Sequence, residues 1–145
     1  MGDFAAGGLT SAGSTTLPIS SVYGAGAASP LIRLLELHVW NTGSAAVALR
    51  LVRATTTGTR GAALTVGSLS AHNPEASTGT AYQTHTVAPT VTDLGYRTHL
   101  AAGNGVIWTW SDNGLVIPAV ANAGIGLIVD NGTGQACQVT WVWRE

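Results

Sequence analysis

From Leu31 to Asn41 apolar and polar positions take turns: Leu35, Leu37 and Val39 alternate with Glu36, His38 and Trp40. That period of two gives a strand one inward face. Asn41-Thr42-Gly43-Ser44 supplies turn chemistry, and Val47, Leu49 and Leu51 then alternate with Ala48 and Arg50. The spacing predicts an antiparallel hairpin over 31–53. The last run, Ala136–Arg144, sets Cys137, Val139, Trp141 and Trp143 against Gln138, Thr140 and Arg144, which places both tryptophans in a core. Gly124–Asp130 turns Ile125, Leu127 and Val129 to one side, and its glycines point to close backbone approach or an unloaded outer face. Gly105–Trp110 is β-branched and aromatic. Ser111-Asp112-Asn113-Gly114 after it predicts a second hairpin, with Leu115–Pro118 pairing back across the turn.

The middle of the chain is less regular. Ala63–Leu69 and Leu94–Leu100 read as short strands, Ser70–Thr80 as a loop around Asn73-Pro74 and Gly79, and Thr84–Val91 as an edge strand or bulge because it carries Pro89. No window carries a helical stripe. Residues 1–29 are mainly Gly, Ala, Ser and Thr, with isolated Phe4, Leu9, Leu17, Ile19, Val22 and Tyr23 and no period. They are expected to form an extended N-terminal arm with little order of its own, either a loose terminus or a tail that docks on a neighbouring subunit. The whole predicts an all-β chain: one antiparallel two-sheet β-sandwich over 30–145, jelly-roll-like, of about eight strands, plus the arm over 1–29.

Composition sharpens this. A chain of 145 residues buries enough surface for a core without disulfides, and the one cysteine, Cys137, has no partner for a bridge, which suits a reducing compartment. Only 9% of residues are charged, against roughly 25% in ordinary soluble domains. The six basic residues are all arginine and the net charge is −1, so no electrostatic footprint for nucleic acid or an anionic membrane exists. No apolar run reaches a membrane-spanning length, and the first residues lack the pattern of a signal peptide. So little charge implies either a surface kept soluble by Ser, Thr, Asn and Gly or one largely covered by other chains.

Catalytic chemistry finds little support. There is no G-x-S-x-G elbow, and His38, His72, His85 and His99 stand in no triad spacing. A cupin-type metal site wants two histidines on alternate strand residues, and no His-x-His occurs. Asp93, Asp112 and Asp130 stand beside turns, where they are expected to bond turn backbone. Gly24-Ala25-Gly26 and Gly132-Thr133-Gly134 open no helix, so neither is a phosphate loop. The expectation is no enzyme, no cofactor and no metal. Trp108 and Trp110 share a face with Val106, and Trp40 lies opposite the inward set of its strand, so at least one tryptophan should stand outward. An outward Trp anchors a protein interface or stacks on a sugar ring.

The segments LELHVWNTGSAAVALRLVRATTTGTRGAALT and GVIWTWSDNGLVIPAVANAGIGLIVDNGTGQACQVTWVWRE, with the Gly/Ala-rich start, resemble the capsid cement or decoration proteins of tailed bacteriophages. The resemblance spans roughly residues 31–145. It implies a jelly-roll-like homo-oligomer, dimer or trimer, made in the bacterial cytoplasm and carried on the outer surface of the virion. There it would bridge subunits of the major capsid protein and stabilise the head, without cofactor, nucleic acid or membrane. No residue carries over position by position. From the sequence itself, the expected interface residues are Phe4, Leu9, Leu17, Ile19, Tyr23, Arg33, Trp40, Arg50, Arg53 and Trp110. The alternative is a carbohydrate- or receptor-binding β-sandwich on a virion surface.

Overall fold

The computed structural model describes residues 1–27, 30–72, 74–111 and 113–145. Among these residues the chain forms eleven strands and no helix: β1 (Asp3–Leu9), β2 (Ser20–Tyr23), β3 (Ile32–Asn41), β4 (Val47–Ala54), β5 (Val66–Ser68), β6 (Thr80–Tyr82), β7 (Val91–Leu100), β8 (Gly105–Thr109), β9 (Leu115–Ile117), β10 (Gly124–Asn131) and β11 (Cys137–Arg144). It follows that no helix is long and apolar enough to cross a membrane. The first sheet runs β5-β1-β11-β3-β8, with β9 also on β3; the second runs β6-β2-β10-β4-β7. All pairings are antiparallel. The result is a two-sheet β-sandwich with three short strands beyond the expected eight.

The core lies between the sheets and follows the alternation. Val139, Trp141 and Trp143 of β11 meet Leu49 and Leu51 of β4 and Ile125, Leu127 and Val129 of β10 in one buried cluster. Burying a large apolar side chain contributes roughly 1.5–3 kcal/mol, and β11 buries Trp141 and Trp143 completely. The two tryptophans stand as the alternation required.

The first hairpin does not form. β3 lies in the first sheet and β4 in the second, so the turn at 42–46 carries the chain across the sandwich. Alternation places Leu37 and Val39 on one sheet and Val47 and Leu49 on the other, facing the same interior. Asn41 holds the crossing: its buried amide donates to the carbonyls of Ala45 (2.8 Å) and Leu100 (3.2 Å), and its Oδ1 accepts the Gly43 N–H (2.9 Å).

A bulge also alters β3. Glu36 pairs with Val142 and Leu34 with Trp143, leaving Leu35 as the extra residue. The inward set therefore changes from Ile32 and Leu34 to Leu37 and Val39, and Leu35, expected inward, is only half-buried. A bulge adds one residue to one strand and flips the alternation beyond it. The second expected hairpin is absent for a related reason. β8 pairs with Glu36–Trp40 and β9 with Ile32–Leu34, end to end along β3, and the break between them falls opposite the bulge. Trp110 N–H bonds the Leu35 carbonyl there (2.9 Å), and Gly114 N–H the Ser111 carbonyl (2.6 Å). Asp112 of that turn, and Asn73 of the 70–80 loop, lie outside the described residues.

The largest correction concerns residues 1–29. β1 sits between β11 and β5, pairing with β11 from Asp3↔Arg144 to Leu9↔Gln138. β2 sits between β10 and β6 and is buried at every position. The segment is therefore part of both sheets. β2 escaped the periodic reading because a strand buried on both faces need not alternate, and β1 because its alternate positions are mostly Ala and Gly, which carry little polarity contrast. Of the expected strand Thr84–Val91 only Val91 is in a strand, as the first residue of β7; the rest makes only a bridge between Val87 and Thr59. β6 begins instead at Thr80, the last residue of the expected loop.

Candidate interaction surface

The outer faces of the two sheets differ. On the second sheet, Pro18 lies against Gly126 and Val52. His85 N–H bonds the Pro18 carbonyl (3.0 Å), and the Thr84 hydroxyl donates to the Ile19 carbonyl (3.0 Å). Segments 11–19 and 83–90 thus lie over β2 and β10, and Gly124–Val129 is buried throughout. The glycines of this strand serve close approach: a Cβ on Gly124 would stand 2.6 Å from the Tyr23 ring and 2.7 Å from the Val22 carbonyl.

On the first sheet no described segment lies over the outer face in this way. Register sets its rows across the strands. Gly105, Trp40, Gln138 and Leu9 form one row, Ile107, His38, Thr140 and Gly7 the next, and Thr109, Glu36, Val142 and Ala5 the third. Trp40, Ile107 and Leu9 are 54%, 59% and 55% exposed. Glycine flattens the face: a Cβ on Gly105 would stand 2.3 Å from the Trp40 ring, so the indole lies across that residue. A shallow depression of about 290 Å³ opens among His38, Trp40, Gly105, Ile107, Gln138 and Thr140. The ionisable side chains near it bond to each other. His38 Nε2 lies 2.7 Å from the Glu36 carboxylate, and Arg144 grips Asp3 with two bonds of 2.6 and 3.0 Å. The hydrogen bond from Arg144 holds the Asp3 carboxyl below its ordinary value.

The ten expected interface residues separate into three groups. Trp40 and Leu9 stand on this outer face. Phe4, Ile19 and Tyr23 are buried at 2% exposure or less, as strand alternation and the β2 cover dictate, so none is presented to a partner. The rest are engaged within the fold. Leu17 is half-buried in the 14–17 turn, whose Ser14 N–H bonds the Leu17 carbonyl (3.1 Å). Arg33 donates to the Asn113 carbonyl (2.9 Å) and Arg53 to the Val116 carbonyl (2.7 Å). Arg50 lies 3.5 Å from both Asp93 and Asp130, in a cluster completed by Arg97. Trp110 is half-buried rather than outward, with Tyr96 edge-on to it and to Trp108. Ile107, Gly105, Gln138, Thr140 and Gly7 were missed, although Ile107 was within reach: it alternates with Val106 and Trp108.

Asp93 accepts the Gly95 N–H (2.7 Å), a turn role like that expected, whereas Asp130 joins the arginine cluster. One Ser–His contact went unseen: Ser21 Oγ lies 2.7 Å from His85 Nε2. Both residues are shut away under the cover of the second sheet. Burial, aided by the Arg60 charge, pushes the imidazole down to about 4, and the pair ties β2 to the 83–90 segment. Among the described residues no three His, Cys, Asp or Glu side chains group as metal ligands. Comparison with models of known families, with curated proteins and with solved structures gives no match.

Proposed function

We propose that this chain is a structural protein that docks on a larger protein lattice through the outer face of its first sheet, in the manner of a phage capsid cement protein. The observation that carries the reading is that face: floored with Gly7, Ala5 and Gly105, its ionisable side chains bonded to each other, with Trp40, Ile107 and Leu9 uncovered. Such a surface matches a broad partner without leaving buried ions unpaired. A repeating lattice multiplies modest contacts, since the second contact of a bound oligomer is effectively intramolecular. The pairing β1-β11-β3-β8 over β2-β10-β4-β7 supports a jelly-roll reading of the sandwich, with β5, β6 and β9 as additions. On this reading the partner is the major capsid protein, the chain is a dimer or trimer, and its place is the virion exterior.

The test mixes purified chain with capsid shells of the virus that encodes it, assembled without it. Binding at fixed stoichiometry with a raised shell melting temperature is expected, weakened by Trp40→Ser or Ile107→Arg. No binding at micromolar concentration overturns the reading. Exposed Trp40 beside the depression also suits a sugar ring, and a glycan array on which Trp40→Ala abolishes a wild-type signal would favour the carbohydrate-binding alternative.

A further inference from the structure

Five of the six arginines have an oxygen acceptor inside the molecule: Arg33, Arg53, Arg50, Arg97 and Arg144. Arg60 has none among the described residues. Its guanidinium lies over the Tyr82 ring, 4.3 Å from the centroid, and 5.2 Å from that of Tyr23. Stacking occupies the faces of a guanidinium and leaves its in-plane N–H donors free, in the fork geometry that matches a carboxylate.

These donors border a cleft of about 230 Å³ on the outer side of the second sheet, lined also by Thr80, Tyr82 and Asn122. The Thr80 hydroxyl, the Tyr82 hydroxyl and the Asn122 amide make no hydrogen bond within the described molecule, and no acidic side chain lines the cleft. A guanidinium with no internal oxygen acceptor among the described residues, bordering a cleft that no acidic side chain lines, suits an anion. One positive charge, in a chain without lysine, suits a monoanion better than a phosphate. The cleft is large enough to admit a side chain, and the guanidinium already covers the Tyr82 face on which a sugar would stack.

We propose that the Arg60 cleft receives the side-chain carboxylate of an Asp or Glu presented by a partner protein. The site lies on the opposite side of the sandwich from Trp40, and the inference does not rest on docking by the first sheet.

The experiment follows the Arg60 Nε–H and the Thr80 and Asn122 amides by NMR while N-acetyl-glutamate N-methylamide is added to the full chain. The glutamine analogue serves as the neutral control and glucuronate as the sugar arm. Saturable shifts with the glutamate compound alone, lost in Arg60→Gln, are expected. Thr80→Val and Asn122→Ala, which leave Arg60 in place, weaken the binding and carry the test if Arg60→Gln fails to fold. Core amides of Leu127 and Val139 report folding throughout. The inference is overturned by shifts that persist in folded Arg60→Gln, by equal response to the glutamine compound, by response to glucuronate alone, or by no saturable response at all.

Discussion

Trp141 of β11 donates its indole N–H to the hydroxyl of Ser20 on β2, 2.8 Å away across the buried interior. Ser20 in turn donates to the Tyr82 carbonyl of β6, also at 2.8 Å. The chain of bonds joins the two sheets through a residue of the segment expected to lie outside them. Ser20→Ala leaves the indole N–H and the carbonyl unpaired, at a cost of about 1–3 kcal/mol. Urea denaturation, followed by circular dichroism, measures it.

Removing residues 2–25 takes away β1, which lies between β5 and β11 in the first sheet, and β2, which lies between β6 and β10 in the second. The truncated chain is expected to lose cooperative unfolding altogether. A sharp thermal transition near that of the full chain would return these residues to the status of an arm.

His85 makes stability depend on pH. Its folded value of about 4 lies below the ordinary 6.5, so between those values the unfolded chain binds the proton and the folded chain does not. The stabilisation is complete above pH 6.5 and is lost as pH falls toward 4, by about 3 kcal/mol at most. Denaturant midpoints measured from pH 7 to 4 check this, and the His85 ring resonances should report a neutral imidazole across the same window.

Arg53 shares the inward side of β4 with Leu51 and reaches between the sheets to the Val116 carbonyl on β9. Arg53→Met keeps much of the apolar stem and removes the bond. A loss of about 1–2 kcal/mol is expected, with hydrogen exchange accelerating first at the amides of β9.

Trp40→Ala should change stability by less than about 0.5 kcal/mol, since the indole lies on an exposed face. A stability loss of several kcal/mol, read from thermal melting, would mark Trp40 as structural rather than available to a partner.

Strand character was plain where one face is buried and the other is not. β11 is the clearest case, its Cys137, Val139, Trp141 and Trp143 all inward. β2 was invisible because Ser20 and Val22 face the core while Ser21 and Tyr23 face the cover, so all four are buried and no contrast survives. Turn residues showed where the chain bends but not where it goes: Asn41-Thr42-Gly43 crosses between sheets, although a hairpin uses the same residue types. The bulge at Leu35 and the broken edge formed by β8 and β9 answer each other across strands remote in sequence, a relation no local window contains. Of the outer face, Trp40 was read correctly as outward. Its neighbours Gly7 and Thr140 reach it only through the pairing of β1, β11 and β3.

That pairing of β1 with β11 also dictates an order of events during synthesis. The third residue meets the 144th, so the first sheet lacks its central strand until the last strand has been made. Loop closure over such separations is slow. Until β11 has been made the Phe4, Leu34 and Leu37 side chains stay unsheltered, and closure of the first sheet is expected as a late, slow step of folding.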